Sequence, residues 1–581
     1  MRRLCARLQR PTAFAALVIA VVGTGCEGRI GGSGKSGTGS AVGASSGGGA
    51  TGGNGAGASS GGSSTGGAPT LSEAALRYFP GQAAQNAPAR VVRLSRTQLD
   101  LTTRSLLPNV TVGSALTTIP SDPLQTNYEY ADNLSFNTAN FTPFSTWVAQ
   151  IAGNVKAAPT RVIDCSSSGN SSTCLADKAK TFVRTAFRGT ASDAQLARYA
   201  DFFTSSASAV GVPAATADLV DVTLTAPGYA FRDEVLTDAS GLLLPAQRLQ
   251  HITYTLADAP PEAIGLSSAT PSAHLGTPAL AQATLDKVLA SPQARDKLTR
   301  FFLAWLEVKE PDQFTIAAST FPEFTPAVAA AVVDETKAFL ARQLGQPAPR
   351  MKDLTESTQS IISSPEAFLY GVSPPAMPAL IDLDPAKRFG IFTQPAVLAS
   401  HSGPTTSRLV KRGVFFVRKV MCMPLGAPPA GIDTSVPANA GATERERIAT
   451  VTAQGQCVGC HAAINPFGFM QENYDAIGRW RTTDEGAPID ASISVSFLDE
   501  GPVVTDSPVD ALRAFTRSWR FQQCFARQLF RFYTGRDETA GDDPVLRQMF
   551  TDFATGDAQD IVGMLRTLAG AATFSSRVGV P

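Results

Sequence analysis

Histidine is almost missing from this chain: four stand in 581 residues. None are spaced H-x-x-x-H, which excludes the helical zinc signature of metallopeptidases. An excess of charge is missing too. Forty-nine Lys and Arg balance 49 Asp and Glu, so no basic field draws in nucleic acid and no nucleic-acid partner is expected. Neither a paired-carboxylate signature nor, outside the Gly- and Ser-rich tract described below, a G-x-S-x-G nucleophile elbow argues for a hydrolase. Sustained period-2 alternation, strand–helix alternation and fixed-period repeats are absent as well, which removes sandwich, doubly wound and solenoid architectures.

What is present begins with a targeting segment. "MRRLCARLQR" is basic, and "TAFAALVIAVV" from Thr12 to Val22 is an apolar core of secretory length, too short for a comfortable membrane span. "GTGC" then resembles a bacterial lipobox with Cys26 as the lipidated residue, although Gly23 stands where Leu is usual. The alternative is an ordinary signal peptide cleaved nearby. From Glu27 to about residue 70 the chain is nearly all Gly, Ser, Ala and Thr and is expected to be a disordered tether. The "GKS" inside it lacks the upstream Gly and strand of a phosphate-binding loop. The chain is therefore expected to be exported to a bacterial cell envelope, periplasmic or at the outer membrane, and held to a membrane through Cys26.

Beyond the tether the fold class is mainly α: a multidomain helical body with a cytochrome c-like haem-binding segment. "RLSRTQLDLTTRSLLP" has Ser95 as N-cap and Pro108 as stop. "TPALAQATLDKVLASPQARDKLTRFFLAWLEV" reads as two helices broken at Ser291-Pro292, and Gly535 caps "WRFQQCFARQLFRFYTGR". "PIDASISVSFL" is the best strand. Pro and Gly clusters divide the body into helical segments 88–158, 159–240 and 241–385, a C-x-x-C-H segment 386–500 and a C-terminal helical segment 501–578. The Pro-rich Met423–Ala442 stretch is expected to be an extended loop. Arginines, common in the C-terminal half, are expected on solvated helix surfaces or facing an anionic cofactor.

Eight cysteines sort by position. Cys5 and Cys26 belong to the targeting segment. Cys165 and Cys174 bracket a short polar loop and form a plausible disulfide. Cys422 and Cys524 are the remaining pair, with free buried thiols as the alternative. Cys457-Val458-Gly459-Cys460-His461 is left. C-type haem needs two cysteines one turn apart for its thioether bonds and a following histidine as iron ligand. All three stand at that spacing. A redox C-x-x-C lacks its βαβ setting, a zinc site lacks a second paired motif, and a local disulfide or two buried thiols is the bland alternative. Phe467, Phe469, Met470, Tyr474, Ile477 and Trp480 are expected around the haem, with Arg479 and Arg481 facing its propionates or else simply on the surface. "INPFGFM" is expected to turn the chain sharply after His461. For the iron's other face the choices are His401, in a polar turn, then Met421 or Met423, with Met470, Met549 and Met564 less favoured, or an open position. His251 reads as structural.

The residues Arg412, Gly413, Cys422, Cys457, Cys460, His461, Asn465, Pro466, Gly468, Phe469, Glu472, Asn473, Asp475, Gly478, Trp480 and Arg481 resemble the pattern of exported, planctomycete-type cytochrome-like proteins built from consecutive domains of unknown function. "RLSRTQLDLTTRSLL" and "CFARQLFRFYTGR" resemble that family's opening and closing helices. "HSGPTTSRLVKRG" resembles its H…T-S-P-x-x-R-G, with Arg408 where Pro is expected. The resemblance implies one covalent haem c, and fits electron transfer with an unidentified redox partner or substrate. A surface-binding or adhesion scaffold and a haem oxidoreductase with an open iron are the competing readings, because the helical body far exceeds what one haem needs.

Overall fold

The computed structural model describes residues 69–427, 442–453, 455–556 and 559–578. The expected signal segment, the Cys26 anchor and nearly all of the tether lie outside the described residues, as does most of the Met423–Ala442 stretch. The described residues belong to one compact unit, Gly66–Pro581. It is mainly helical, with short two-stranded pairings. No helix among them is long and apolar enough to cross a membrane.

Local chemistry places the helices where the pattern predicted them. Helix α1, Arg96–Leu106, starts at a capping box in which Ser95 and Gln98 satisfy each other's backbone N–H. Helices α2 (Thr138–Ala157), α3 (Ser172–Ala186), α4 (Asp193–Val210) and α5 (Val212–Leu224) pack into an antiparallel cluster. Helices α6 (Pro278–Leu289) and α7 (Pro292–Trp305) break at Ser291, which caps α7 through its side chain. Helix α8, Pro326–Leu344, is capped by Thr325. Helix α9, Leu409–Phe415, is followed by α10 (Glu444–Thr452), α11 (Val458–Phe469) and α12 (Trp519–Thr534). Gly535 ends α12 with φ 64°, a left-handed cap that costs glycine nothing.

The apolar cores do not follow the expected segment divisions. One core joins residues from Leu94 to Tyr254 and crosses residue 159. A larger core joins residues from Ala75 to Phe574 and includes Met421, Met470, Met549 and Met564. Its aromatic centre sets Phe301, Phe302 and Trp305 of α7 against Phe521 and Phe525 of α12. Hydrophobic burial thus ties the segments into one body, because no single segment's helices cover their own apolar faces. Disulfides Cys165–Cys174 and Cys422–Cys524 are both formed, the second fixing the start of the Pro-rich stretch to α12.

Several arginines expected on the surface are internal. Arg388 donates to the carbonyls of Thr393, Leu369 and Gly478 at 2.7, 2.8 and 2.9 Å. Arg412 donates to the carbonyls of Gln471, Tyr474 and Asp475 at 3.1, 2.8 and 2.7 Å, and to Ser402 Oγ at 2.9 Å. Burial lowers Arg412 to about 10, yet its planar fork offers enough donors to saturate a loop's carbonyls. These two side chains hold residues 471–478, the segment directly after α11.

Candidate functional site

Helix α11 carries the C-x-x-C-H residues and has two faces. Ile464 and Phe467 point into the large core. Val458, His461, Ala462, Asn465 and Phe469 share the opposite face and line a cleft of about 360 Å³, within the range of ligand clefts. Arg445, Ala449, Thr452 and Ala453 from α10 and its end form a second wall. Ser492, Ile493 and Ser494 form a third, the last two in strand β1, Ile493–Val495. Strand β1 pairs antiparallel with β2, Val503–Thr505, so the predicted strand is one arm of a hairpin.

Helices α9 and α11 cross at close range. A Cβ on Gly413 would lie 2.3 Å from the Ile464 carbonyl oxygen, and one on Gly468 would lie 2.3 Å from that of Leu409. Both glycines are required by backbone approach. The sharp turn expected after His461 does not occur: α11 runs through Pro466 to Phe469. Proline costs the helix a backbone bond, and burial of Ile464, Phe467 and Phe469 around it outweighs that loss. Arg408, the departure from the family pattern, has φ 49°, a backbone angle closed to the proline ring.

His461 lines the cleft and its Nδ1 lies 2.8 Å from Asn465 Oδ1. Asn465 Nδ2 donates to Thr452 Oγ1 at 2.9 Å, and Thr452 Oγ1 donates to the Ile448 carbonyl at 2.8 Å. Cys457, half-buried, and Cys460, exposed, are both free thiols. They immediately precede the cleft-lining Val458 and His461 in sequence at the start of α11, and neither lines the cleft. Every other described cysteine is bonded. Among the described residues no group of three or more His, Cys, Asp or Glu gathers to hold a metal ion.

Helix α10 is pinned by acids at its N-terminus. The N–H of Glu444 donates to Asp484 Oδ2 at 2.7 Å, and that of Arg445 to Glu472 Oε1 at 2.8 Å, where the helix dipole favours negative charge. Burial pushes Glu472 up to about 7. Arg445 then reaches across the cleft wall to the carbonyl oxygens of Asp490 and Ser492 and covers the Phe469 ring, 5.0 Å from its centroid.

Other expected site residues are elsewhere. Arg479 is held by Asp475 at 3.0 Å and Glu323 at 2.6 Å. Arg481 is held by Asp484, the Glu472 carbonyl and Ser407. Trp480 packs edge-on to Tyr474. None of the three lines the cleft: Arg479 is drawn to Asp475 and the distant Glu323, Arg481 to Asp484, and Trp480 to Tyr474. The cation at the cleft is Arg445, which the sequence analysis did not single out; its four-residue spacing from Ala449 and eight from Ala453 was the available signal. Of the expected aromatic wall, Phe469 alone lines the cleft. His401 is buried, donates through Nε2 to the Leu306 carbonyl at 2.9 Å and stacks on Phe415 at 3.9 Å. Burial pushes it down to about 3, so it is a neutral structural ring. Met421 and Met470 are fully buried in the large core and Met423 packs against it. His251 bonds Glu234 at 3.0 Å, also structural as expected.

Comparison with known families finds two matches, in tandem. Residues 246–372 match PSD4, described as a protein of unknown function (DUF1592), and residues 388–484 match PSCyt3, described as a protein of unknown function (DUF1588). The second span contains Cys457, Cys460 and His461. No curated protein and no solved structure matches the chain.

Proposed function

We propose that the start of α11 would hold one haem c through Cys457 and Cys460, with His461 as a ligand to its iron, and that the chain transfers electrons. The observation that carries this reading is the pairing of two free thiols, one helical turn apart, with a following histidine that lines a cleft and whose Nδ1 is already engaged. The residues fit the group. Cys457 and Cys460 would hold it by thioether bonds, each S–H adding across a vinyl double bond of the haem with no oxidant needed. Val458, 44% exposed, Ala449, Ala462 and Phe469 offer apolar surface for a planar macrocycle. Arg445, paired with Asp490 at 3.3 Å, is the cation on the cleft wall and would meet its carboxylates. Bound haem supplies a one-electron iron couple. The tandem order of the two family matches agrees with the cytochrome-like resemblance. In this reading the chain is exported and lipid-anchored through Cys26, and its partner is a redox protein or substrate.

A second reading, an oxidoreductase with an open iron position, is favoured by one observation: among the described residues His461 is the only histidine lining the cleft, and no methionine lines it. Both readings are tested by expressing the chain with a haem-attachment system. A haem band retained under denaturing conditions, and lost in Cys457→Ala or Cys460→Ala, is expected. Folded protein without that band overturns the haem reading. High-spin bands that shift on adding carbon monoxide select the open iron; low-spin bands that do not shift select electron transfer.

A further inference from the structure

An imidazole has two nitrogens, and only the one without a proton can ligate a metal. We propose that Asn465 and Thr452 form a hydrogen-bond relay that fixes the His461 proton on Nδ1 and leaves the Nε2 lone pair bare. This gives two residues of no assigned role a positioning function. Its purpose rests on the haem reading; the relay itself belongs to the haem-free chain.

The polarity follows from the far end of the chain of bonds. Thr452 Oγ1 donates to the Ile448 carbonyl, four residues back in α10. Its lone pairs are then left to accept, and the only donor on Asn465 is its amide Nδ2. With Nδ2 turned to Thr452, Oδ1 faces His461 at 2.8 Å. An amide oxygen only accepts, so His461 Nδ1 carries the hydrogen. Reversing the amide would turn Nδ2 toward His461 and Oδ1 toward Thr452. Thr452 would then abandon the Ile448 carbonyl, and three hydrogen bonds would become two. The geometry therefore selects one tautomer.

The placement of the relay supports the assignment. His461 and Asn465 are four apart on the cleft face of α11, and Thr452 lies at the C-terminal end of α10. The bond between Asn465 and Thr452 is thus also a bond between the two helices that form the cleft walls. Metal-binding histidines commonly donate their second N–H to a carboxylate, carbonyl or water, which fixes ring orientation and basicity. Here the acceptor is a neutral amide, so it orients the ring without placing a full negative charge behind it. A carboxylate at position 465 would strengthen the donor character of Nε2 and favour the oxidised iron.

The test needs no haem. With only four histidines in the chain, ¹⁵N-labelling of the rings yields four spin systems, and His461→Gln identifies the one of interest. In the haem-free wild type above pH 7.5, Nδ1 is expected to show the protonated ¹⁵N shift and Nε2 the bare one. Thr452→Val, which removes a hydroxyl that never touches His461, is expected to release the amide and move both shifts toward each other; Thr452→Ser is expected to restore them. Asn465→Asp keeps an acceptor and is expected to hold Nδ1–H. An Nε2–H ring in the wild type or in Asn465→Asp, or a pattern unmoved by Thr452→Val in folded protein, overturns the relay. In haem-loaded protein Asn465→Asp is expected to lower the reduction potential, and an unchanged or raised potential overturns the positioning role. A fixed Nδ1–H ring in a chain that fails to retain haem sustains the relay and refutes the haem reading alone.

Discussion

Replacing Gly413 by alanine would drive a methyl group into the backbone of the helix that carries His461. The new Cβ would lie 2.3 Å from the Ile464 carbonyl oxygen and 2.8 Å from Ile464 Cγ2. Carbon–oxygen contacts settle at about 3.3 Å or more, so α9 and α11 must separate by about 1 Å. A side chain could rotate away, but a carbonyl in a helix cannot. Overpacking of this kind costs roughly 1–3 kcal/mol, and the better helix propensity of alanine returns about 1 kcal/mol. Taking the upper end for a backbone clash, the net loss is about 2 kcal/mol. A thermal melt is a poor reporter of that loss. At roughly 2 cal/mol/K of unfolding entropy per residue, a body of this size loses only about 2 °C. Hydrogen exchange over residues 458–469 is the proper assay, because 2 kcal/mol of local stability accelerates exchange about 30-fold. Gly153 in α2 is the control: a Cβ there meets nothing within 4 Å, and Gly153→Ala should leave protection unchanged or raised in α2. Wild-type protection of 458–469 in Gly413→Ala would refute the close crossing of α9 and α11.

Three further outcomes are expected. Burial pushes Glu335 up to about 7 from 4.5, so the folded chain keeps a proton that the unfolded chain has lost. Stability is then lost between about pH 4.5 and 7, and Glu335→Gln should gain about 3 kcal/mol at pH 8 and nothing below pH 4.5 in urea titrations; equal gains at both would contradict this origin. The Cys422–Cys524 bond spans 102 residues, and the double serine variant should lose about 4–5 kcal/mol in the chain-entropy account; reductant, which also opens Cys165–Cys174 in both proteins, should bring wild type and variant to one common midpoint, and a persisting difference would contradict this origin. His401→Ala should cost about 2–3 kcal/mol by orphaning the Leu306 carbonyl and unstacking Phe415, while the haem-loaded spectrum stays that of the wild type; a changed spectrum would return His401 to the iron.

The helices were legible because their ends carry local chemistry: Ser95 with Gln98, Thr325 and Gly535 act within a few residues of themselves. The Cys165–Cys174 bond was legible in the same way, nine residues apart; Cys422–Cys524 spans 102 residues and was reached only as the remaining pair, with free thiols as the alternative. What was not legible is set by partners far away in sequence. Arg479 looks like a cofactor arginine until Glu323 is placed beside it, 156 residues upstream. His401 looks available until the Leu306 carbonyl, 95 residues away, takes its Nε2. Arg445 was overlooked for the converse reason: its role at the cleft depends on β1, which comes nearly 50 residues later. Pro466 misled because a local rule for ending helices met a packed core that overrode it.

The buried carboxylate of Glu234 has a consequence for the order in which this body can assemble. It is paired with Arg90, Arg232 and His251 in its own half of the chain, but also with Arg577, which is synthesised 343 residues later. Beside that contact, Ala87–Pro88 and Arg577–Val578 run parallel as a strand pair. An emerging chain can therefore build its first helical cluster early but cannot seal it until position 577 has arrived. Cys457 and Cys460 emerge more than a hundred residues before that seal. They take no part in it, and Cys460 stays exposed in the finished body, so a chain truncated before position 577 should lose the seal of its first cluster and keep the reactivity of these thiols.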